Sequence, residues 1–144
     1  MVPMESQRLL NHPEEKIRQD LMDRLCKLFL FPSQLLVKER AIHQLPHFNQ
    51  NLKSKTLPKD RRIDLLAYHF EQENLRPLVL FECKHHKPDA AAFQQLLGYN
   101  HWIQAPFIAW VSQDYEGLYR ISKGGISYLG ELRPYEELCR LLRD

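Results

Sequence analysis

The sequence has no apolar run approaching the roughly 18 residues that cross a bilayer, and Met1 to Leu10 lacks the basic-then-apolar layout of a secretory leader. Both absences lead to the expectation of a soluble, cytoplasmic protein. Cysteine is scarce: Cys26, Cys83 and Cys139 are odd in number, far apart and never in a C-x-x-C pair, which argues against a disulfide framework or a structural zinc site. The five glycines, Gly98, Gly117, Gly124, Gly125 and Gly130, have neither P-loop spacing nor a following Lys-Ser/Thr. No ATP-driven motor is therefore expected, and any energy-consuming step falls to another chain. Nor does one charge dominate. With 20 Lys+Arg against 18 Asp+Glu the formal net charge is +2, so there is no whole-molecule basic field of the kind carried by architectural nucleic-acid binders. Seven histidines are present, but His43 and His47 flank Pro46, and a histidine metal site is not expected.

What is present is 144 residues, 44% of them hydrophobic, enough for one globular domain over 1–144 with a real core. The spacing predicts a helix from Pro13 to Leu30, with Pro13 at its first position, Glu14 and Glu15 at the positive end of its dipole, and a stripe of Ile17, Leu21, Leu25 and Leu28. A strand over Leu36 to Ile42 follows. Gln44 to Asp60, with two prolines and no periodicity, reads as a long loop. Ile63 to Phe70 and Leu78 to Lys84 read as an antiparallel hairpin around Glu71 to Arg76. A helix over Asp89 to Ile103 is capped by Asp89 and buries Phe93, Leu96, Leu97 and Ile103. Phe107 to Val111 is apolar without alternation, as in a strand buried on both faces and parallel to the one before the helix. A hairpin of Gly117 to Ile121 and Ile126 to Leu129, then a short helix from Pro134 to Leu142, close the chain. The order is αβββαβ followed by ββα, an α/β (α+β) architecture. Trp102, Trp110 and Tyr68 lie inside apolar runs and read as core or near-core aromatics.

Charged residues interrupt the central hairpin where burial is expected: Asp64 within Ile63-Asp64-Leu65, and Glu82 and Lys84 at the end of Phe81-Glu82-Cys83-Lys84. Strand alternation puts Glu82 and Lys84 on one face and Cys83 on the other. In a hairpin, Asp64 can face Glu82. Two such carboxylates repel unless a divalent cation or the lysine neutralises them. Mg²⁺ suits the pair, since it takes hard oxygen ligands, usually one or two carboxylates, with water and phosphate completing its octahedron; Mn²⁺ is the natural substitute. With Lys84 to orient or deprotonate the attacking water or to stabilise charge on phosphate, the implied reaction is metal-assisted phosphodiester hydrolysis. The plain alternative for Glu82-Cys83-Lys84 is an exposed ion pair at a strand end. Gln95 and Tyr99, one turn apart on the second helix, form either a polar ridge toward this edge or a solvated face. Lys53, Lys55, Lys59, Arg61 and Arg62 form either a clamp on backbone phosphates or a solvated basic loop, and His85, His86 and Lys87 either touch phosphate or are merely exposed.

Together these residues resemble the PD-(D/E)xK nuclease superfamily, and within it the N-terminal nuclease domain of type I restriction enzyme R subunits. The resemblance rests on Pro13 to Gln19, on Arg62-Ile63-Asp64, on Phe81-Glu82-Cys83-Lys84, and on Gln95-Leu96-Leu97-Gly98-Tyr99 as a Q-x-x-x-Y motif. It implies a restriction-endonuclease-like fold and an Mg²⁺-dependent endonuclease acting on DNA, working with a separate motor or recognition subunit. It also implies roles: Asp64 and Glu82 as metal ligands with the Cys83 carbonyl, Lys84 as the catalytic lysine, Glu14 or Glu15 completing the metal shell, and Gln95 with Tyr99 contacting DNA or supporting the site. Glu39 matches an acidic position of related domains. The segment His43 to Arg62 is longer than that pattern. The alternative is the same fold kept as a catalytically weak or inactive nucleic-acid-binding or interaction module.

Overall fold

The computed structural model describes residues 13–48 and 62–143. Its elements are α1 (Pro13–Lys27), β1 (Leu36–Ala41), β2 (Arg62–Glu71), β3 (Asn74–Cys83), α2 (Ala90–Ile103), β4 (Phe107–Val111), β5 (Glu116–Ser122), β6 (Gly125–Gly130) and α3 (Tyr135–Arg143). The strands form one six-stranded sheet in sequential order. All neighbours are antiparallel except β3 and β4, which run parallel because α2 carries the chain back between them. This is the mixed sheet flanked by helices that the sequence predicts.

Two apolar clusters lie on opposite faces of the sheet. On one, Ile17, Leu21 and Leu25 of α1, Phe31 and Leu138 of α3 cover Leu65, Val79, Phe81, Phe107 and Val111. On the other, Leu96 and Ile103 of α2, with Ile42 and Leu45, cover Leu66, Tyr68, Leu80, Ile108 and Trp110. The five residues of β4 are all buried, in accord with a central strand covered on both sides.

Several boundaries differ from the sequence reading. α1 stops at Lys27; Leu30 adopts a left-handed backbone (φ 59°), and the Phe31 N–H donates to the Leu25 carbonyl at 2.8 Å. Leu28 is consequently 67% exposed, and Phe31 takes the core place expected of it. The expected loop from Gln44 begins instead as tight helical turns, Ile42–Gln44 and Pro46–Phe48, which bury Ile42 and Leu45. The β2–β3 arms extend through the polar stretch to a two-residue turn, Gln72 and Glu73, both at positive φ, as a twist-matched hairpin turn requires. Pro77 is accommodated by a register shift next to it, where Ala67 pairs with Val79 and Tyr68 with Pro77. On α2 the buried face is Leu96, Asn100 and Ile103. Trp102 lies roughly 100° of helical rotation from Ile103 and is 37% exposed, so it stands at the edge of the core, outside its buried part. Tyr68 and Trp110 are buried as expected.

Candidate functional site

The β2–β3 ladder ends at the pair Leu65 and Phe81, and the next residues on each strand are Asp64 and Glu82. Beyond that point the N–H of Cys83 is taken not by a backbone carbonyl of β2 but by Oδ2 of Asp64, at 2.9 Å. The Lys84 N–H bonds the Val111 carbonyl of β4 at 2.9 Å. Asp64 is thus fixed by the backbone of the strand that carries Glu82 and Lys84.

Glu82 is buried, and Lys84 places its Nζ 2.9 Å from Glu82 Oε1 with the lysine side chain 41% exposed. Burial first, then the neighbouring Asp64 carboxylate, push Glu82 up to about 7, and the Lys84 ammonium only partly opposes them. For Lys84, burial favours the neutral amine, but the hydrogen bond and charge of Glu82, together with Asp64 and Glu14, hold it above the ordinary lysine range. Lys84 is therefore an ammonium in this site. The Cys83 side chain joins the opposite, α1-covered core, as strand alternation requires; burial and the adjacent Asp64 and Glu82 carboxylates push its thiol far up. A nucleophilic thiolate is excluded there.

The two helix acids diverge. Glu14, exposed in the first turn of α1, exerts its charge on Lys84 and Cys83. Glu15 is engaged with Arg18 of its own helix at 3.4 Å. Arg18 is buried and places Nη1 2.8 Å from Oε1 of Glu39. Glu39 lies between the pairs Lys38–Leu65 and Arg40–Ile63, directly across from Asp64, and its φ is +50°. A left-handed backbone costs a non-glycine residue about 1–2 kcal/mol. The Arg18 ion pair accompanies it, so Glu39 is tied to α1 beside the acidic pair.

Of the other predicted residues, Gln95 is exposed and Tyr99 is half-buried, packed against the second core cluster. His85, His86 and Lys87 are exposed; the Trp110 indole N–H pins this segment through the His86 carbonyl at 2.9 Å. Arg62 is exposed and donates to the Glu39 carbonyl at 3.4 Å. Lys53, Lys55, Lys59 and Arg61 lie outside the described residues.

Among the described residues, no three His, Cys, Asp or Glu side chains gather as a metal cage. The donor set the structure offers is the Asp64 and Glu82 carboxylates. That is sufficient for Mg²⁺, which usually keeps several waters, and insufficient for a closed structural site. The buried Glu82 carboxylate beside Asp64 fits a cation here, because a divalent charge would relieve both its burial and its repulsion from Asp64.

A cavity of about 700 Å³ lies elsewhere. It is lined by His47, His69, Phe70, Arg76, Pro106 and Cys139, near the β2–β3 turn, some six residues or about 20 Å along β2 from Asp64. Sequence reasoning also missed Arg18, which reads as one more charge on a helix, and a cluster of tyrosines on β5 and β6.

A family model described as type I restriction enzyme R protein N terminus matches residues 13–132. No curated protein and no solved structure matches the chain significantly.

Proposed function

Since the chain belongs to the type I restriction enzyme R protein N-terminal family, we propose that it is a metal-dependent nuclease domain hydrolysing DNA phosphodiester bonds, with Asp64, Glu82 and Lys84 as its catalytic residues. The observation that carries this reading is the buried, lysine-paired Glu82 beside Asp64 at the frayed end of a hairpin. Such a cluster costs stability unless it is used.

Asp64 and Glu82 would hold Mg²⁺ or Mn²⁺, with the Cys83 carbonyl as a further oxygen and Glu14, whose charge already reaches Lys84, as the helix acid on that side. The ion supplies Lewis-acid polarisation of the phosphate and a more acidic bound water. Asp64 is oriented by the Cys83 N–H, which fixes the direction of its carboxylate. Lys84, protonated and partly exposed, puts a positive charge where the phosphoryl oxygens gain negative charge; its hydrogen bond to Glu82 sets its position. The basic segment through Arg62, together with His85 and Lys87, is assigned to holding backbone phosphates, and Gln95 with Tyr99 to supporting the site. These contacts read no sequence. Recognition and motor functions are assigned to other subunits, and the domain to the cytoplasm; no helix among the described residues is long and apolar enough to cross a membrane.

Nicking of supercoiled plasmid in Mg²⁺, Mn²⁺ or EDTA tests the reading. Native protein should nick only with metal, and Lys84→Ala or Asp64→Asn should lose activity by about 10²–10³-fold with an unchanged circular-dichroism spectrum. A second reading, a binding module without activity, is favoured because no three His, Cys, Asp or Glu side chains gather as a metal cage among the described residues. It predicts DNA binding indifferent to Asp64→Asn and no metal-dependent nicking.

A further inference from the structure

The sheet face that carries Glu82 and Lys84 continues past the site as a strip of aromatic residues. Glu82 pairs with Trp110 and Trp110 with Gly117, so the three lie in one row across β3, β4 and β5. Two residues along β3, Leu80 pairs with Ile108, Ile108 with Tyr119 and Tyr119 with Tyr128, which puts both tyrosines on that same face. Tyr115 joins them by folding over Gly117. A Cβ at Gly117 would sit 2.5 Å from the Tyr115 hydroxyl and 2.9 Å from its ring carbons, so glycine leaves the space this ring occupies. The Tyr115 ring therefore lies about 10 Å from Glu82, two strand spacings away.

The strip is joined by side-chain contacts and opens to solvent at Tyr128. The Tyr115 and Tyr119 hydroxyls are 2.6 Å apart, Tyr119 packs on Phe93 of α2 at 4.9 Å and on Tyr128 at 5.2 Å, and Tyr128 is 60% exposed. Its neighbour on β6, Ile126, is 46% exposed. Lys87, three residues beyond Lys84, stands over the Tyr115 ring at 5.3 Å from its centroid, and its charge is felt at Tyr128 as well. Glu131 is the acidic group that faces Tyr128. Aromatic faces with a cation above them, contiguous with a phosphodiester site, suit one kind of occupant. Unpaired bases stack on such rings while the backbone phosphate meets the ammonium. A duplex offers no open base faces and gains nothing from them.

We propose that Tyr115, Tyr119 and Tyr128, with Lys87, form a stacking subsite for unpaired bases of a nucleic-acid strand leading into the Asp64–Glu82–Lys84 site. The subsite makes a frayed end, gap or single-stranded stretch the preferred form of substrate. It rests on the reading of the acidic pair as a nuclease site only in taking nucleic acid as the ligand.

Fluorescence anisotropy of a labelled single-stranded oligonucleotide and of the matching blunt duplex, in EDTA, tests the subsite without any need for cleavage. The native chain should bind the single strand more tightly than the duplex. Tyr128→Ala and Gly117→Ala should each weaken single-strand binding by about tenfold or more while duplex binding holds, and Tyr128→Phe, which keeps the ring, should bind as the native chain does. Tyr128 is exposed, so its substitution leaves the fold intact; the circular-dichroism spectrum checks this. The proposal is overturned if the single strand binds no better than the duplex, if Tyr128→Ala weakens neither form or both equally, or if neither form binds. It is overturned too if sedimentation shows a dimer that Tyr128→Ala dissolves without changing oligonucleotide affinity, because the strip would then be an interface between copies. Failure of plasmid nicking with single-strand binding intact would sink the nuclease reading and leave the subsite standing.

Discussion

Glu82 concentrates the conflict between stability and chemistry in one side chain. Its folded pKa, about 7, lies above the ordinary value of 4.5, because burial and Asp64 both disfavour the carboxylate. Between those two values the folded state holds a proton that the unfolded state has released, so raising the pH through this window costs stability. Above pH 7 the charged Glu82 remains a burden in the absence of metal. Glu82→Gln should therefore raise the melting temperature of the metal-free protein at pH 8, by about 1–3 kcal/mol of stability, while abolishing metal-dependent nicking. Thermal unfolding in EDTA checks the sign, and a destabilised variant would remove the electrostatic account of the site. His47 works in the opposite sense. Burial lowers it to about 4 from 6.5, and its Nδ1 lies 2.7 Å from the Tyr68 hydroxyl. As pH falls from 6.5 to 4 the unfolded chain takes up a proton that the folded one refuses, so this window should cost about 1 kcal/mol after allowance for solvent screening of a half-buried ring. His47→Gln should flatten the dependence of melting temperature on pH across that window relative to the native chain.

Among the elements, α2 shows most plainly how local sequence sets position. Asp89 caps it, its carboxylate accepting the Ala92 N–H at 2.7 Å, and Asn100 ties its far end to β4 by exchanging two 2.9 Å hydrogen bonds with the Ala105 backbone. Asp89→Ala should cost about 1 kcal/mol and Asn100→Ala more, since the latter leaves buried backbone groups of Ala105 unpaired. Urea unfolding measures both. The cap was legible because an aspartate followed by a run of helix-forming alanines before an apolar periodicity is a short-range signal. The Asn100 clamp was not: a single asparagine on a helix looks like a solvated residue until the turn after the helix folds back onto it. The end of α1 teaches the same lesson. Periodicity carried its stripe on to Leu28, but the left-handed turn at Leu30 delivers Phe31 to the core instead, and backbone reversals without glycine leave little trace in composition.

Over the whole molecule, the sheet holds the two helical layers apart and brings the candidate site to the end of β2 and β3, where the ladder stops and side chains replace backbone partners. Leu25, fully buried under α1, and Ile108, fully buried under α2, lie on opposite faces. Leu25→Ala should destabilise by about 2–5 kcal/mol through the cavity it leaves, without moving the Asp64–Glu82–Lys84 cluster on the other face, so nicking by the folded fraction should persist. Denaturant titration with parallel activity measurements would register any coupling between faces.

The sequence by itself determined the order of elements, the parallel step across α2, and the placing of Asp64, Glu82 and Lys84 at one end of the β2–β3 hairpin, because strand alternation and hairpin pairing are local rules. Only the tertiary structure decided that Glu14 acts on Lys84 while Glu15 turns to Arg18, that Arg18 joins α1 to Glu39 opposite Asp64, and that Tyr115, Tyr119 and Tyr128 share a face with the acidic pair. Those relations depend on cross-strand register and on how a helix rolls against a sheet. Both are set by the packing of distant residues, and no window of sequence contains them.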